Sequence, residues 1–205
     1  MGKVRGEGIW VIDVSTGQKQ RLSQGANDQV AQWSPGGGRV LFYGLREGDY
    51  ELMLAHLAAA TVERLTDNRR NDLFPRWDAS GSSVVYTSSS PSGARHLFRL
   101  ALSDGALTRL TPRKTHDEGG IVSPDGTQIA YGEGIWVMDS NGSQKTELFT
   151  GEVDRGSLVW SPGGNRLAFS HLNNHRYDIS VVDVKSGQVS ALTRLRGDES
   201  VSDWR

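Results

Sequence analysis

Cysteine is absent from all 205 residues. That removes disulfides, thiolate zinc sites and cysteine nucleophiles, and leaves the compartment open. Net charge is nearly absent too. Lys and Arg number 23 against 24 Asp and Glu, a formal charge of −1, so no overall field draws the chain to nucleic acid or an anionic membrane, and neither is expected as a partner. No stretch approaches the roughly 18 apolar residues of a spanning helix, and residues 1–8 lack the apolar run of a secretory leader. A soluble chain is expected. Proline is scarce at six residues while glycine reaches 25, a balance that favours many tight turns over long helices and points to an all-β fold.

What is present is a repeat, and the tryptophans mark it. Trp33-Ser34-Pro35-Gly36, Trp77-Asp78-Ala79-Ser80-Gly81, Trp160-Ser161-Pro162-Gly163 and the terminal Trp204-Arg205 share one landmark, with Val122-Ser123-Pro124-Asp125-Gly126 as a copy in which valine replaces tryptophan. The intervals are 44, 45, 38 and 44 residues, within the range of four-stranded propeller blades. A second landmark keeps the same beat: Leu22-Ser23, Leu65-Thr66, Leu110-Thr111, Leu148-Phe149 and Leu192-Thr193. Trp10 and Trp136 fall in near-duplicate segments, Gly8 to Asp13 and Gly134 to Asp139. In the fourth repeat the pattern predicts strands over 157–160, 166–170, 177–183 and 188–192, with turns at Ser161–Asn165, His171–Arg176 and Lys185–Gly187. Each repeat is thus an antiparallel four-stranded meander. The third is short because only Gly132-Glu133-Gly134 joins its second and third strands.

Ser123 to Tyr131 followed by Ile135-Trp136-Val137-Met138-Asp139, with Arg64-Leu65-Thr66 as a closing strand, resembles the WD40-like (PD40) repeat of the TolB β-propeller family. The resemblance covers essentially the whole chain but only the propeller, not the separate N-terminal domain of TolB proteins. It implies architecture, since propellers host many functions. It would also imply a periplasmic location if location carries over and a leader was removed. Propellers of this family usually have six blades, whereas the repeat here predicts five. Residues 1–23 supply second, third and fourth strands, clearest at Gly8–Val14 and Gln18–Leu22, and Ser200–Trp204 supplies a lone inner strand. Joined, they make a fifth blade that closes the ring without open edges. The expectation is one propeller domain over 1–205, with repeats at about 33–76, 77–121, 122–159 and 160–203 and a closing blade from 204–205 plus 1–32, monomeric if closed. A piece of a larger propeller is the alternative.

Acidic residues also keep the beat. Asp28, Asp72 and Asp117 lie five residues before their landmarks, Asp154 six before, and Asp198 and Glu199 six and five before Trp204. Five blades would gather these carboxylates at one mouth of the channel, where they could hold Ca²⁺ or Mg²⁺ or receive a basic peptide. The competing reading is that each fixes its own turn. Arg69, Arg70, Arg113 and Arg155 lie in the same loops and could neutralise them. Catalytic motifs are missing: no Gly-x-Ser-x-Gly elbow, no Walker-type loop, no His-Glu-x-x-His pair. His171 and His175 straddle a hairpin turn, where a four-residue spacing has no helical meaning, His116-Asp117 reads as incidental, and Asp139-Ser140-Asn141-Gly142 reads as a turn rather than a calcium loop. The expected function is a non-catalytic scaffold with no cofactor, binding a protein or peptide at the channel mouth or loop face. The alternatives are a glycosidase-like enzyme using channel carboxylates and part of a TolB-like or peptidase-gating propeller. If Ser200–Trp204 closes the ring, truncation after Gly197 removes a paired strand and a packed aromatic, a loss of roughly 3–5 kcal/mol or more. Urea unfolding of both chains measures it, and coincident midpoints would exclude closure.

Overall fold

The computed structural model describes residues 8–112, 117–154, 156–194 and 197–204. Among them are eighteen β-strands and no helix. β1 (Trp10–Ile12) and β2 (Lys19–Arg21) form a two-stranded antiparallel sheet. Four four-stranded sheets follow, each paired in chain order. The first blade is β3 (Gln29–Trp33), β4 (Arg39–Arg46), β5 (Asp49–His56) and β6 (Thr61–Arg64). The second is β7 (Asn71–Trp77), β8 (Ser83–Ser89), β9 (Arg95–Ala101) and β10 (Leu107–Arg109). The third is β11 (Ile121–Val122), β12 (Gln128–Tyr131), β13 (Ile135–Asp139) and β14 (Thr146–Phe149). The fourth is β15 (Val159–Trp160), β16 (Arg166–Asn173), β17 (Arg176–Asp183) and β18 (Val189–Ala191).

Both landmarks are hydrogen-bonding devices. After each inner strand, the landmark Ser or Asp closes the turn with its side chain: Ser34 Oγ accepts from Arg39 N–H (3.1 Å), Asp78 Oδ1 from Ser83 (3.2 Å), Ser123 Oγ from Gln128 (3.0 Å) and Ser161 Oγ from Arg166 (3.1 Å). The glycine three residues on, Gly37, Gly81, Gly126 or Gly164, takes φ between 69° and 75°, a region that costs a side chain but not glycine. The second landmark ties the outer strand to the third. Ser23, Thr66, Thr111 and Thr193 each accept, through the side-chain hydroxyl, the backbone N–H fourteen residues earlier, at Ile9, Leu52, Leu97 and Ile179, at 2.9–3.0 Å. Phe149 stands at this place in the third blade and cannot accept such a bond. There the β13–β14 register shifts between Ile135 and Trp136.

Side chains alternate across each strand, and in the first three blades both faces are covered. Leu41 and Tyr43 of β4, with Leu52 and Leu54 of β5, face the second blade's Val84, Tyr86 and Leu100, while Val40, Phe42, Met53 and Ala55 face back onto Ile9, Val11 and Leu22 beside the β1–β2 hairpin. Val85, Leu97 and Leu110 pack on Ile129, Tyr131 and Met138. Ala130, Ile135 and Val137 pack on Trp160, Leu167, Phe169 and Val182. Two buried faces explain why Val40-Leu41-Phe42-Tyr43 is continuously apolar rather than alternating. The landmark indole joins neighbours: Trp77 Nε1 donates to Gln32 O (3.4 Å) and Trp160 Nε1 to Ile121 O (3.2 Å), each the residue before the preceding blade's landmark. The Arg39 guanidinium lies 4.8 Å from the Trp77 ring centre, as cation–π geometry favours.

The expected turn at His171–Arg176 is shorter than the sequence implied. β16 and β17 pair as far as Asn173↔Arg176, leaving Asn174 (φ 47°) and His175 (φ 66°) as a two-residue connection with both central residues left-handed. Polar side chains hid a ladder that only the backbone needs to make. Ser200–Trp204 forms no strand, but its segment lies against the fourth blade as an inner strand does. Tyr177 N–H donates to Asp198 as Tyr50 N–H does to Asn71, both at 3.0 Å, and Val201 N–H donates to Ser170 Oγ as Gly119 N–H does to Thr87 Oγ1, both at 3.1 Å. Trp204 shares a cleft with Arg166, which stands in its repeat where Arg39 stands in the first. Residues 1–7, expected to supply the strand beside Ser200–Trp204, lie outside the described residues. Trp33 is 54% exposed, whereas Trp160 is 8% exposed. Trp160→Ala should therefore cost roughly 3–5 kcal/mol and Trp33→Ala about 1 kcal/mol. Equal shifts in urea midpoint would mean that Trp33 is covered in solution.

Candidate functional site

The acidic residues are each engaged close to their own loops. The Asp28 carboxylate is fully buried, pairs with Arg46 Nη1 at 2.8 Å and accepts the Gly25 N–H. Gly44, opposite it, leaves the space the carboxylate occupies. Asp72, buried in β7, accepts from Asn68 Nδ2 at 2.8 Å. Asp117 N–H donates to Arg95 O at 3.0 Å. Asp154 fixes its turn, with Oδ1 accepting from Gly156 N–H and its carbonyl from Ser157. Asp198 accepts the Tyr177 N–H, and Glu199 N–H donates to Tyr177 O at 2.8 Å. Among the described residues no three His, Asp or Glu side chains stand close enough to hold a metal ion. Arg113, Arg155 and His116 lie outside the described residues. Asp139 accepts from the Ser143 hydroxyl within a hairpin turn, and His171 bonds Ser180 (3.0 Å) between Phe149 and Phe169.

A buried carboxylate that the spacing did not mark lies beside Asp72, with Asn68 bonded to both. Glu51 of β5 is wholly buried and takes bonds from Arg64 Nη2 (3.1 Å), Thr66 Oγ1 (2.5 Å) and Asn68 N–H (2.9 Å). Its charge is thereby satisfied. Asp72 is less well served. Burial first of all, and the Glu51 charge last, push its carboxyl above the ordinary range against the pull of nearby Ser88, Asn68 and Thr66. Burial, with Asp72 and Glu51 beside it, likewise raises the Tyr86 phenol. Burial and Asp117 push Tyr131 up to about 12.

A cavity of about 780 Å³ opens where the inner strands of consecutive blades meet. Val30, Leu73, Phe74, Arg76, Pro91, Arg95, Glu118 and Gly119 are among its lining residues. Val30 and Phe74 stand three residues before their landmarks, at bulges where the register shifts between Gln29 and Gln32 and between Leu73 and Arg76. Both are left-handed, at φ 53° and 52°, and Gly119 at the same repeat position has φ 71°. Left-handed backbone at a β-branched or bulky residue costs of order 1–3 kcal/mol. Here the bulge re-aims the side chain: Val30 is 39% and Phe74 38% exposed, with Phe74 edge-on to Tyr43 at 5.8 Å between centroids. Across the cavity Arg95 pairs with Glu118. None of these residues was singled out from the sequence. The available signal was Pro75 inside an apolar run, since proline within a paired strand marks an edge or a bulge.

Two-faced four-stranded sheets joined by inner-strand landmarks around a shared cavity define a β-propeller. The model of the TolB beta propeller domain, PD40, matches residues 4–135, and the chain belongs to that family. It is 30% identical over 119 residues to the Tol-Pal system protein TolB of Anaeromyxobacter dehalogenans, covering 55% of this chain and 27% of that protein. It is 27% identical over 168 residues to the uncharacterized peptidase YuxL of Bacillus subtilis, covering 79% and 24%. The crystal structure of TolB from Acinetobacter baumannii is similar in fold, with a TM-score of 0.76 at 22% identity over 93% of this chain and 49% of that one. The chain thus spans half or less of these relatives' lengths.

Asp72 yields a pH test. Its folded-state pKa lies above the unfolded value, so the folded state is favoured by its neutral form at low pH, and that contribution is lost as pH rises through the folded pKa. Asp72→Asn should raise the urea midpoint at pH 7, and the advantage should shrink toward pH 4. A variant less stable than the parent at pH 7 would show that the ionised form is fully compensated.

Proposed function

We propose that the chain is a non-catalytic propeller module that binds a protein or peptide segment in the cavity between its inner strands. Phe74 carries the reading: an aromatic side chain kept in a strained backbone conformation and left 38% exposed on a concave wall. Strain of this kind persists where the surroundings impose it and collects at binding sites, and exposed aromatics in concave sites are the anchors of peptide recognition. The polar groups support binding over catalysis. A glycosidase needs two carboxyl groups that reach one substrate, yet Glu51 and Asp72 are both at 0% exposure and Asp28 is held by Arg46. Ser180, the partner of His171, is 2% exposed, so no substrate reaches that hydroxyl.

The fifth blade belongs to this proposal. The bonds from Tyr177 and Val201 support Ser200–Trp204 as its inner strand, completed by residues 1–7 and the β1–β2 hairpin. A second reading, an arc of a larger ring such as the propeller part of a peptidase, is favoured by the exposure of Trp33 and the YuxL likeness. Selection of a random peptide library on the chain tests the binding role. Enriched peptides should lose affinity tenfold or more with Phe74→Ala, about 1.4 kcal/mol. Peptides indifferent to Phe74→Ala, or glycoside turnover abolished by Asp72→Asn, would refute it.

A further inference from the structure

The cavity contains one cation whose charge nothing in the described structure balances. Arg76 follows Phe74 and Pro75 at the β7 bulge and is half-buried on the cavity wall. The ion pairs among described residues engage Arg46, Arg64, Arg95 and His56, and none reaches Arg76. The neutral Gln32 carboxamide lies against it, its oxygen accepting from Arg76 Nη1 while its nitrogen donates to Pro75 O (3.3 Å). Burial alone lowers the affinity of this guanidinium for its proton, with no carboxylate opposing the effect. Arginine nevertheless keeps its charge in proteins. The other arginine on the cavity wall, Arg95, is neutralised by Glu118. A partly desolvated, unpaired guanidinium among Val30, Leu73, Phe74 and Pro91 therefore has planar donors to offer and an apolar wall beside them.

Resting on the peptide-binding reading, we infer that Arg76 receives the terminal carboxylate of a peptide whose last side chain is apolar and packs on Phe74 and Val30. The choice of a chain terminus follows from geometry. Arg76 and Phe74 lie on the same wall, so the ligand must present a carboxylate and an apolar group together. In an extended peptide consecutive side chains point to opposite faces, so an internal acid shares a face only with side chains two residues away, about 6.5 Å along the chain. A C-terminal residue carries both groups on one Cα.

N-acetyl-L-phenylalanine, its primary amide and N-acetyl-aspartyl-alanyl-phenylalanine amide, whose acid and ring share a face, serve as probes, titrated into the full chain with the amide signals of Val30 and Gly119 followed by nuclear magnetic resonance. The free acid should bind at least tenfold more tightly than its amide. Arg76→Gln should remove that preference, and Arg76→Lys, which keeps the charge, should retain most of it. Equal binding of acid and amide, a preference that survives Arg76→Gln, or tighter binding of the internal aspartate probe would overturn the assignment. Library peptides that depend on Phe74 but not on Arg76 or on a free terminus would overturn it while leaving the binding role intact.

Discussion

The first three four-stranded sheets are apolar on both faces, so such a blade alone would expose as much greasy surface as it hides. Leu41 and Phe42, adjacent in sequence and both fully buried, point to opposite neighbours. Each such side chain contributes about 1.5–3 kcal/mol on burial, but only if the next blade is present. Stability is therefore shared between successive repeats, as in other repeat architectures. The landmark indole is the directional part of that contact. It reaches from one inner strand to a carbonyl of the previous one, and so sets the approach of blades that dispersion alone would leave free to slide.

The same dependence shapes the site. Inner strands converge because the blades pack, and convergence brings Val30, Phe74 and Gly119, equivalent positions of three repeats, around one cavity. The bulges at Val30 and Phe74 take these residues out of the ladder at a cost in backbone strain. A strand serving only to pair would have no use for that. The acidic positions behave otherwise: Asp28 with Arg46 and Asp154 with its own turn hold loops in place, and on the cavity wall Arg76 is the arginine that no ion pair among the described residues reaches.

Much of the architecture was legible. The turn-closing Ser34, Asp78, Ser123 and Ser161 recur because every blade must make the same first turn, and a repeated geometric need leaves a repeated residue. Ser23, Thr66, Thr111 and Thr193 recur for the same reason at the outer strand. The site was less legible because its residues do not repeat chemically: valine, phenylalanine and glycine fill one position in three blades, and a backbone conformation leaves no fixed letter behind.

By itself the sequence determined the repeat, the four-stranded meander and the family, since local hydrogen bonds and two-face burial demand particular residues at set intervals. Tertiary structure decided what those intervals could not. It sealed Glu51 and Asp72, paired Arg46 and Arg95, and left Arg76 facing a cavity beside Phe74. Spacing counts charges along the chain, whereas only packing brings together charges from different strands and decides which one is left over.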